Sequence, residues 1–441
     1  MSTTKKITFD VEPGGHLHGA IRVPGDKSIS HRSIMLGSLA DGVTRISGFL
    51  EGEDSLATLK AFQQMGVEIE GPDAGRVVIH GVGMHGLKAP STPLDLGNSG
   101  TSMRLLSGLL AGQGFAVTLT GDRSLSGRPM KRVTQPLASM GARIETTETG
   151  TAPLRIAPNN QLHGIDYSLP MASAQVKSCV LLAGLYAQGE TCVTEPAPTR
   201  DHTERMLEGF GYAIRREGPR VCLSGGGSLK ACAIDIPADI SSATFFIVGA
   251  AIASGSDITL EHVGINPTRD GVINILRLMG AQIDLLNPRN IGGEPVADVR
   301  VRASRLQGIR IPEDQVPLAI DEFPAIFIAA ACAEGRTLLS GAEELRVKES
   351  DRIQVMVDGL QQLGIQATAK PDGLEIEGGT LGGGEIDSHG DHRIAMAFAV
   401  AGLRASGSVR IRDCANVNTS FPGFVTLAQS AGLSIREAVE D

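Results

Sequence analysis

The sequence predicts an α/β (α+β) protein of two similar domains, each built from three copies of one repeated unit. Three observations carry this. Six helical stretches end in glycine, at Gly66, Gly141, Gly211, Gly280, Gly364 and Gly432, spaced 75, 70, 69, 84 and 68 residues apart. Each is preceded by the same series: a polar start, an Ala- and Leu-rich helix, a small-residue turn, a strand and a polar loop. A glycine just past a helix can take the left-handed conformation that ends it.

Taken in order, copy one runs through SLADGVTRISGF to the helix SLATLKAFQQMG. Copy two has GFAVTLTGD and RVTQPLASMG, and copy three has GETCVTEP and TERMLEGFG. Copy four has GSDITLEHV and GVINILRLMG, and copy five GRTLLSG and DRIQVMVDGLQQLG. Copy six has GSVRIRD and FVTLAQSAG. Copies of about 70 residues exceed ordinary solenoid repeats, which favours two domains of three copies. Residues 23–237 are expected to hold copies one to three. Residues 1–22 and 238–441 are expected to hold copies four to six, with the first strand, ITFDVEP, pairing into that half. Two chain crossings, near Arg22–Pro24 and Ile236–Asp239, would suit a hinge.

The chain has 441 residues, 41% hydrophobic and 20% charged, as in soluble globular proteins. Twelve Phe and three Tyr are its only aromatics, so Leu, Ile, Val, Ala and Met must form the core. Stacking platforms for single-stranded nucleic acid are not expected. A net charge of −9 argues against a broad basic face for a polyanion. It leaves room for a small anion held by a few cations. The six cysteines form no C-x-x-C pair, so neither a zinc ribbon nor a redox motif is indicated and a reducing cytoplasm is the simplest compartment. No apolar run reaches membrane-spanning length, and MSTTKKITFDVEPGG has no apolar signal core.

The six helix openings are the candidate functional feature: GDKSIS at Lys27, GNSGTS at Asn98, MASAQ at Ser173, ADISS at Asp239, IDEFP at Asp321 and GDHRIA at His392. A helix start offers unpaired backbone N–H groups and a partial positive charge. In PGDKSISHR, Asp26 or Ser28 can cap the helix, and Lys27, Ser28 and Arg32 suit a phosphate or carboxylate. Equivalent helices of a repeated architecture point the same way, so the six openings are expected to converge on one anion-attracting cleft between the domains. Three basic loops recur between the repeats. They carry Arg123, Arg128, Lys131 and Arg132; Arg200; and Arg346, Lys348, Glu349 and Arg352. Singly, each is more commonly a solvated helix start, and Glu349 with Arg352 could be an i,i+3 ion pair. His389 and His392 lack further ligands in sequence, so no metal is expected. Ser28, Ser99 and Ser173 read as phosphate-binding hydroxyls rather than nucleophiles.

PGDKSISHR, GNSGTSMR, GRPM, PMASAQVKS, TRDHTE, the Asp of AIDEFP, RVKESDR, GDHRIAMA and TSFP occur in the order found in the 5-enolpyruvylshikimate-3-phosphate synthases, over residues 15 to 430. The resemblance implies an enolpyruvyl transferase fold, an inside-out α/β barrel of two domains, each of three βαβαββ units, with the active site in the interdomain cleft. It implies transfer of the carboxyvinyl group of phosphoenolpyruvate to the 5-hydroxyl of shikimate 3-phosphate, releasing phosphate. This is a shikimate-pathway step in aromatic amino-acid biosynthesis. No cofactor and no metal are implied, a monomer is expected, and glyphosate is the expected inhibitor.

By the same resemblance, Lys27, Ser28, Arg32, Ser173, Ala174, Gln175 and Arg200 hold shikimate 3-phosphate, with Asp321 and Lys348. Lys27, Gly100, Arg128, Gln175, Arg352 and Arg393 line the phosphoenolpyruvate site. Asp321 is the implied base, Glu349 the implied proton donor to C3, and Lys27 touches both substrates. Three departures stand out. Leu105 replaces a common Pro, Thr419-Ser420 stands where many members have Lys-Thr, and Glu344 stands where many have Asn. The nearest rival, a UDP-N-acetylglucosamine enolpyruvyl transferase, uses a loop Cys that GDRSLSGRPM lacks. A non-catalytic protein binding a phosphorylated ligand would leave Asp321 and Lys348–Glu349 without a chemical task.

Overall fold

The computed structural model describes residues 6–159 and 161–440. Residues 1–5, part of the opening stretch read above for targeting signals, lie outside them. The chain divides into two compact units. The first comprises Gly25–Ile236 with Ile291–Gly293, and the second Met1–Pro24, Pro237–Asn290 and Glu294–Asp441.

In the first unit, three sheets share one plan. Two parallel strands come first, because a buried helix crosses between them. An antiparallel pair then completes the sheet. In copy two, Leu94–Asp95 lies parallel to Val117–Thr120 with Leu94 opposite Leu119, and the helix Gly100–Ala111 connects them. Leu154–Ile156 then pairs antiparallel to Val117–Thr120, and Ile144–Glu145 to Leu154–Ile156. Copy three repeats this with Asp166–Ser168, Glu190–Thr194, Arg220–Ser224 and Arg215–Glu217 around the helix Ala174–Gly184. Copy one takes its opening strands from beyond copy three. Leu229–Lys230 and Ala233–Asp235 both pair parallel with Ala40–Ser47, beside the helix Lys27–Leu39.

The second unit is permuted in the same way. The opening strand of copy four is His18–Ile21, parallel to Asp257–Gly264. The expected N-terminal strand is Lys6–Val11, which lies antiparallel to both Val409–Arg412 and Ile435–Glu440. In copy five, the isolated parallel bridges Gln307–Glu334 and Arg310–Leu338 stand in place of a full opening strand.

Each unit is centred on its three apolar helices. Those of the second unit, Ile240–Ile252, Phe323–Ala331 and His392–Ala401, are buried at every position. A helix apolar all round has no solvent face and belongs in the middle of a core. In the first unit, Gly100–Ala111 packs on Ala174–Gly184 so closely that a Cβ on Gly108 would lie 2.0 Å from the Cys179 carbonyl oxygen. The six glycines that end the second helices all have positive φ, from +81° to +112°. The repeat read from the sequence is therefore a repeat of backbone geometry.

Candidate active site

The first unit gathers the cations of PGDKSISHR. Asp26 is the N-cap, its carboxylate accepting from the Ile29 N–H at 2.9 Å. Lys27 follows at the helix start and pairs with Asp54 at 3.2 Å. Arg32 is buried one turn on. Its Nη1 donates to the Ser28 carbonyl at 2.9 Å, Nε to Thr203 Oγ1 at 2.7 Å and Nη2 to Ser178 Oγ at 2.8 Å. His31, between them, is held neutral. Burial, together with the charges of Lys27 and Arg32, lowers its pKa to about 3. It is uncharged at physiological pH, and its Nδ1 shares a hydrogen bond with Thr58 Oγ1 at 2.8 Å.

A second cluster forms at the starts of the two packed helices. Ser99 and Ser173 cap them, each accepting from a backbone N–H three residues on. Ala174 and Gln175 open the second of these helices. Gln175 accepts from Arg104 Nη1 and donates to Thr101 Oγ1 at 3.1 Å. Arg128 donates to Asn98 Oδ1 at 2.7 Å, and Asn98 in turn donates to Asp122 at 2.7 Å. A Cβ on buried Gly100 would meet Arg128 Nη1 at 3.0 Å and Arg104 Nη1 at 3.5 Å. Gly100, Arg104, Arg128 and Gln175 thus share one small neighbourhood, rich in donors. Arg200 is half-buried in the loop before the helix His202–Gly209.

The second unit brings Asp321, Lys348, Glu349 and Arg352 together. Lys348 Nζ and Arg352 Nη1 each lie 3.5 Å from Asp321 Oδ1. Arg352 also donates from Nη2 to Glu349 Oε2 at 2.6 Å and from Nε to Asp391 Oδ2 at 2.8 Å. Burial opposes the charge on Arg352, but Asp391 and Glu349, with Asp321, outweigh it and hold the guanidinium pKa above its ordinary value. Asp391 caps the helix that begins at His392, accepting from the Arg393 N–H at 2.9 Å. Arg393 itself is buried in the first turn of that helix. Asp321 precedes Glu322, the N-cap of its helix, by one residue. A carboxylate between two cations, with a second carboxylate on the same arginine, can take a proton from a hydroxyl while an adjacent anion is held.

Several expectations need correction or refinement. Arg346 is engaged with its own unit, donating to the Lys370 and Pro371 carbonyls and pairing with Asp351. Glu344 gives Lys348 a second partner at 2.8 Å that an Asn would not supply as a charge. Thr419 donates to the Asn416 carbonyl at 2.7 Å, within its own turn. The cysteines are not all unpaired: Cys192 and Cys222 are joined by a disulfide. They face each other across antiparallel strands 30 residues apart in sequence, a pairing that no local motif announces. Among the described residues, two groups could offer a metal three ligand atoms: Glu190 with Cys192 and Cys222, and Glu68 with Glu70 and His80. The first is committed to the disulfide, and neither includes His389 or His392. No helix among the described residues is long and apolar enough to cross a membrane.

Sequence reading passed over Arg104 and Asp391, and took Asn98 only as the mark of a helix opening. Arg104 lies one helical turn after Gly100, and that i,i+4 spacing was the available signal. Asn98 and Asp391 each orient an arginine from a loop, which only the fold reveals. A cavity of about 580 Å³ in the first unit, lined by residues such as Pro93, Thr118, Arg143 and Arg155, contains none of the expected site residues.

Residues 11–427 match the family described as EPSP synthase (3-phosphoshikimate 1-carboxyvinyltransferase). A 3-phosphoshikimate 1-carboxyvinyltransferase of Methylococcus capsulatus is 70% identical over 98% of this chain and 99% of its own. The EPSP synthase structure from Acinetobacter baumannii is 60% identical with a TM-score of 0.90, covering 98% of this chain and 100% of that one. The enolpyruvyl transferase NikO of Streptomyces tendae is 17% identical with a TM-score of 0.80, covering 99% of this chain and 100% of that one, and shares the fold. The chain belongs to the EPSP synthase family, the 3-phosphoshikimate 1-carboxyvinyltransferases.

Proposed function

We propose that the chain transfers the enolpyruvyl group of phosphoenolpyruvate to the 5-hydroxyl of shikimate 3-phosphate, with release of phosphate. Membership of the family over nearly the whole chain is the observation that carries this. The hydroxyl oxygen adds to C2 of phosphoenolpyruvate while C3 gains a proton, giving a tetrahedral intermediate. C3 then loses a proton and C2 expels phosphate, restoring the double bond in the product. The sequence is an addition and an elimination with no change of oxidation state, and it needs no cofactor.

The residues take the following parts. Asp321 removes the hydroxyl proton, with the cations Lys348 and Arg352 each 3.5 Å away. Glu349 is the proton donor to C3. Lys27, Ser28, Arg32, Ser173, Ala174, Gln175 and Arg200 bind shikimate 3-phosphate. Lys27, Gly100, Gln175, Arg128, Arg352 and Arg393 bind phosphoenolpyruvate. The two substrates bring two phosphates and two carboxylates, which calls for many fixed donors and for exclusion of water. Glyphosate, a small anion carrying a phosphonate and a carboxylate, competes at the Gly100–Arg128 neighbourhood. The enzyme works as a monomer in the cytoplasm. Four free thiols fit that compartment, and the Cys192–Cys222 bond is its exception. The deciding experiment is phosphate release from phosphoenolpyruvate: a burst that requires shikimate 3-phosphate supports the reading, and none with both substrates present rejects it.

A further inference from the structure

One buried ionic cluster is not used by this mechanism. Lys177, in the helix Ala174–Gly184, is 1% exposed. Its ammonium lies 2.8 Å from Glu204 Oε1, 2.9 Å from Glu195 Oε1 and 3.5 Å from the Thr199 carbonyl. Glu204 is 1% exposed on the helix His202–Gly209, and Glu195 follows the strand Glu190–Thr194. One ammonium therefore ties a core helix, a second helix and a strand.

The neighbours of this cluster matter most. Ser178 follows Lys177 and Thr203 precedes Glu204. Thr203 Oγ1 donates to Ser178 Oγ at 2.7 Å, and both hydroxyls accept from the Arg32 guanidinium. The two helices are thus joined by two adjacent rungs. Lys177–Glu204 is one, and Ser178–Thr203, on which Arg32 rests, is the other. A buried ion pair is an inefficient way to stabilise a fold, since apolar side chains of like volume do as well or better. Here one ammonium faces two carboxylates, and Glu204 Oε2 is buried with no hydrogen-bond partner among the described residues. Burial also raises the Glu195 pKa against the pull of Lys177. What the charges supply that apolar groups do not is a fixed distance and register between the two helices.

We infer that Lys177, Glu204 and Glu195 are positioning residues for shikimate 3-phosphate, holding Ser178 and Thr203 in the register that aims Arg32. The inference rests on the assignment of Arg32 to that substrate made above. The cluster touches no substrate; it acts through the two hydroxyls.

The test is the double variant Lys177→Met/Glu204→Leu, which removes the ammonium and its fully buried carboxylate together, preserves bulk and leaves Glu195 at the more exposed edge. It is expected to fold, with a Tm lowered by the loss of the Glu195 counter-charge. Its Kd for shikimate 3-phosphate, read by calorimetry, should rise about 10-fold, as loss of one oriented charged hydrogen bond would give, while KM for phosphoenolpyruvate stays within about 2-fold. Placed on Arg32→Ala, the same pair should add almost nothing, because coupled residues are not additive. A folded double variant with unchanged affinity for shikimate 3-phosphate overturns the inference, as does full additivity with Arg32→Ala. If Arg32→Ala alone leaves that affinity unchanged, the assignment of Arg32 is what fails. Should the double variant not fold, Glu195→Gln, at the more exposed edge of the cluster, is read the same way. A rise of about 3-fold in the same constant supports the inference, and no rise overturns it.

Discussion

Gly100 and Arg128 share one volume: a Cβ placed on Gly100 would lie 3.0 Å from the Arg128 guanidinium. The obstructing atom is the end of a flexible side chain, so Gly100→Ala should fold normally and displace Arg128 by a few tenths of an ångström. The resulting loss falls on ligands that need Arg128 in place. Inhibition by glyphosate should weaken by about 10-fold or more, and KM for phosphoenolpyruvate should rise less. Inhibition curves for both proteins in a phosphate-release assay check this, and equal inhibition would sink it.

Asp321→Asn keeps the shape of the side chain and removes the proposed base. Its cationic neighbours, Lys348 and Arg352, each at 3.5 Å, remain. Turnover should fall by about 10²- to 10⁴-fold, the range for loss of general acid–base catalysis, while substrates still bind. Single-turnover phosphate release separates the two, and wild-type turnover would show that another group is the base.

Lys27 and Arg32 stand on one helix but differ in setting. Lys27 pairs with a single carboxylate, Asp54, at 3.2 Å, whereas Arg32 is buried and held on three sides. Lys27→Ala should therefore fold well, lose affinity for both substrates and lower kcat. Arg32→Ala should chiefly weaken shikimate 3-phosphate. Titrating each substrate at saturation of the other gives the comparison, and matching profiles for the two variants would contradict the division.

Asp391 links stability to pH. Burial pushes its pKa up, but the Arg352 guanidinium at 2.8 Å more than offsets this, so the carboxyl sits below its ordinary 3.8. A depressed carboxyl contributes stability that is complete above the unfolded-state value and is lost as pH falls through the folded-state value. Asp391→Asn leaves Arg352 without its closest buried counter-charge and should cost about 3–5 kcal/mol at neutral pH. The gap between variant and wild type in urea unfolding should begin to narrow as pH falls below about 4 and close only below the depressed folded-state value. A gap that stays constant down to pH 2 would mean that Asp391 is not the titrating group.

The disulfide predicts a thiol count. Protein denatured without reductant should titrate four thiols, those of Cys179, Cys232, Cys332 and Cys414, and six after reduction. Closing a loop of 30 residues restricts the unfolded chain. Cys192→Ala should therefore lower unfolding free energy by about 3 kcal/mol, measured without reductant. Six titratable thiols before reduction would show that the pair is open.

What could be read in advance follows from how locally each feature is encoded. The helix ends were legible because a glycine at positive φ leaves its mark in one residue. The core helices were legible because runs such as ISSATFFIVGAAI are apolar all round. The opening strands of the copies were not. Leu94–Asp95 and Leu229–Lys230 are two residues long, too short to alternate, and the second is supplied from beyond copy three. Of the site, Asp321, Lys348, Glu349 and Arg352 were visible as types in a motif. That Asp391 orients Arg352 was not, because 39 residues separate them. Cys192 and Cys222 were invisible as a pair for the same reason: register across a sheet, not spacing along the chain, brings them together.

The strand Lys6–Val11 leaves the ribosome about 400 residues ahead of its two sheet partners, Val409–Arg412 and Ile435–Glu440. The three sheets of Gly25–Ile236 draw their strands from that stretch alone and can close while synthesis continues. The other unit must hold Lys6–Val11 in reserve for more than 390 residues of translation before that strand's sheet has its members. Non-local strand pairing of this kind forms late and slowly. The protein therefore acquires the unit that carries its proposed base after the unit that carries Lys27 and Arg32, and a nascent chain released early would be half folded and inactive rather than wholly unfolded.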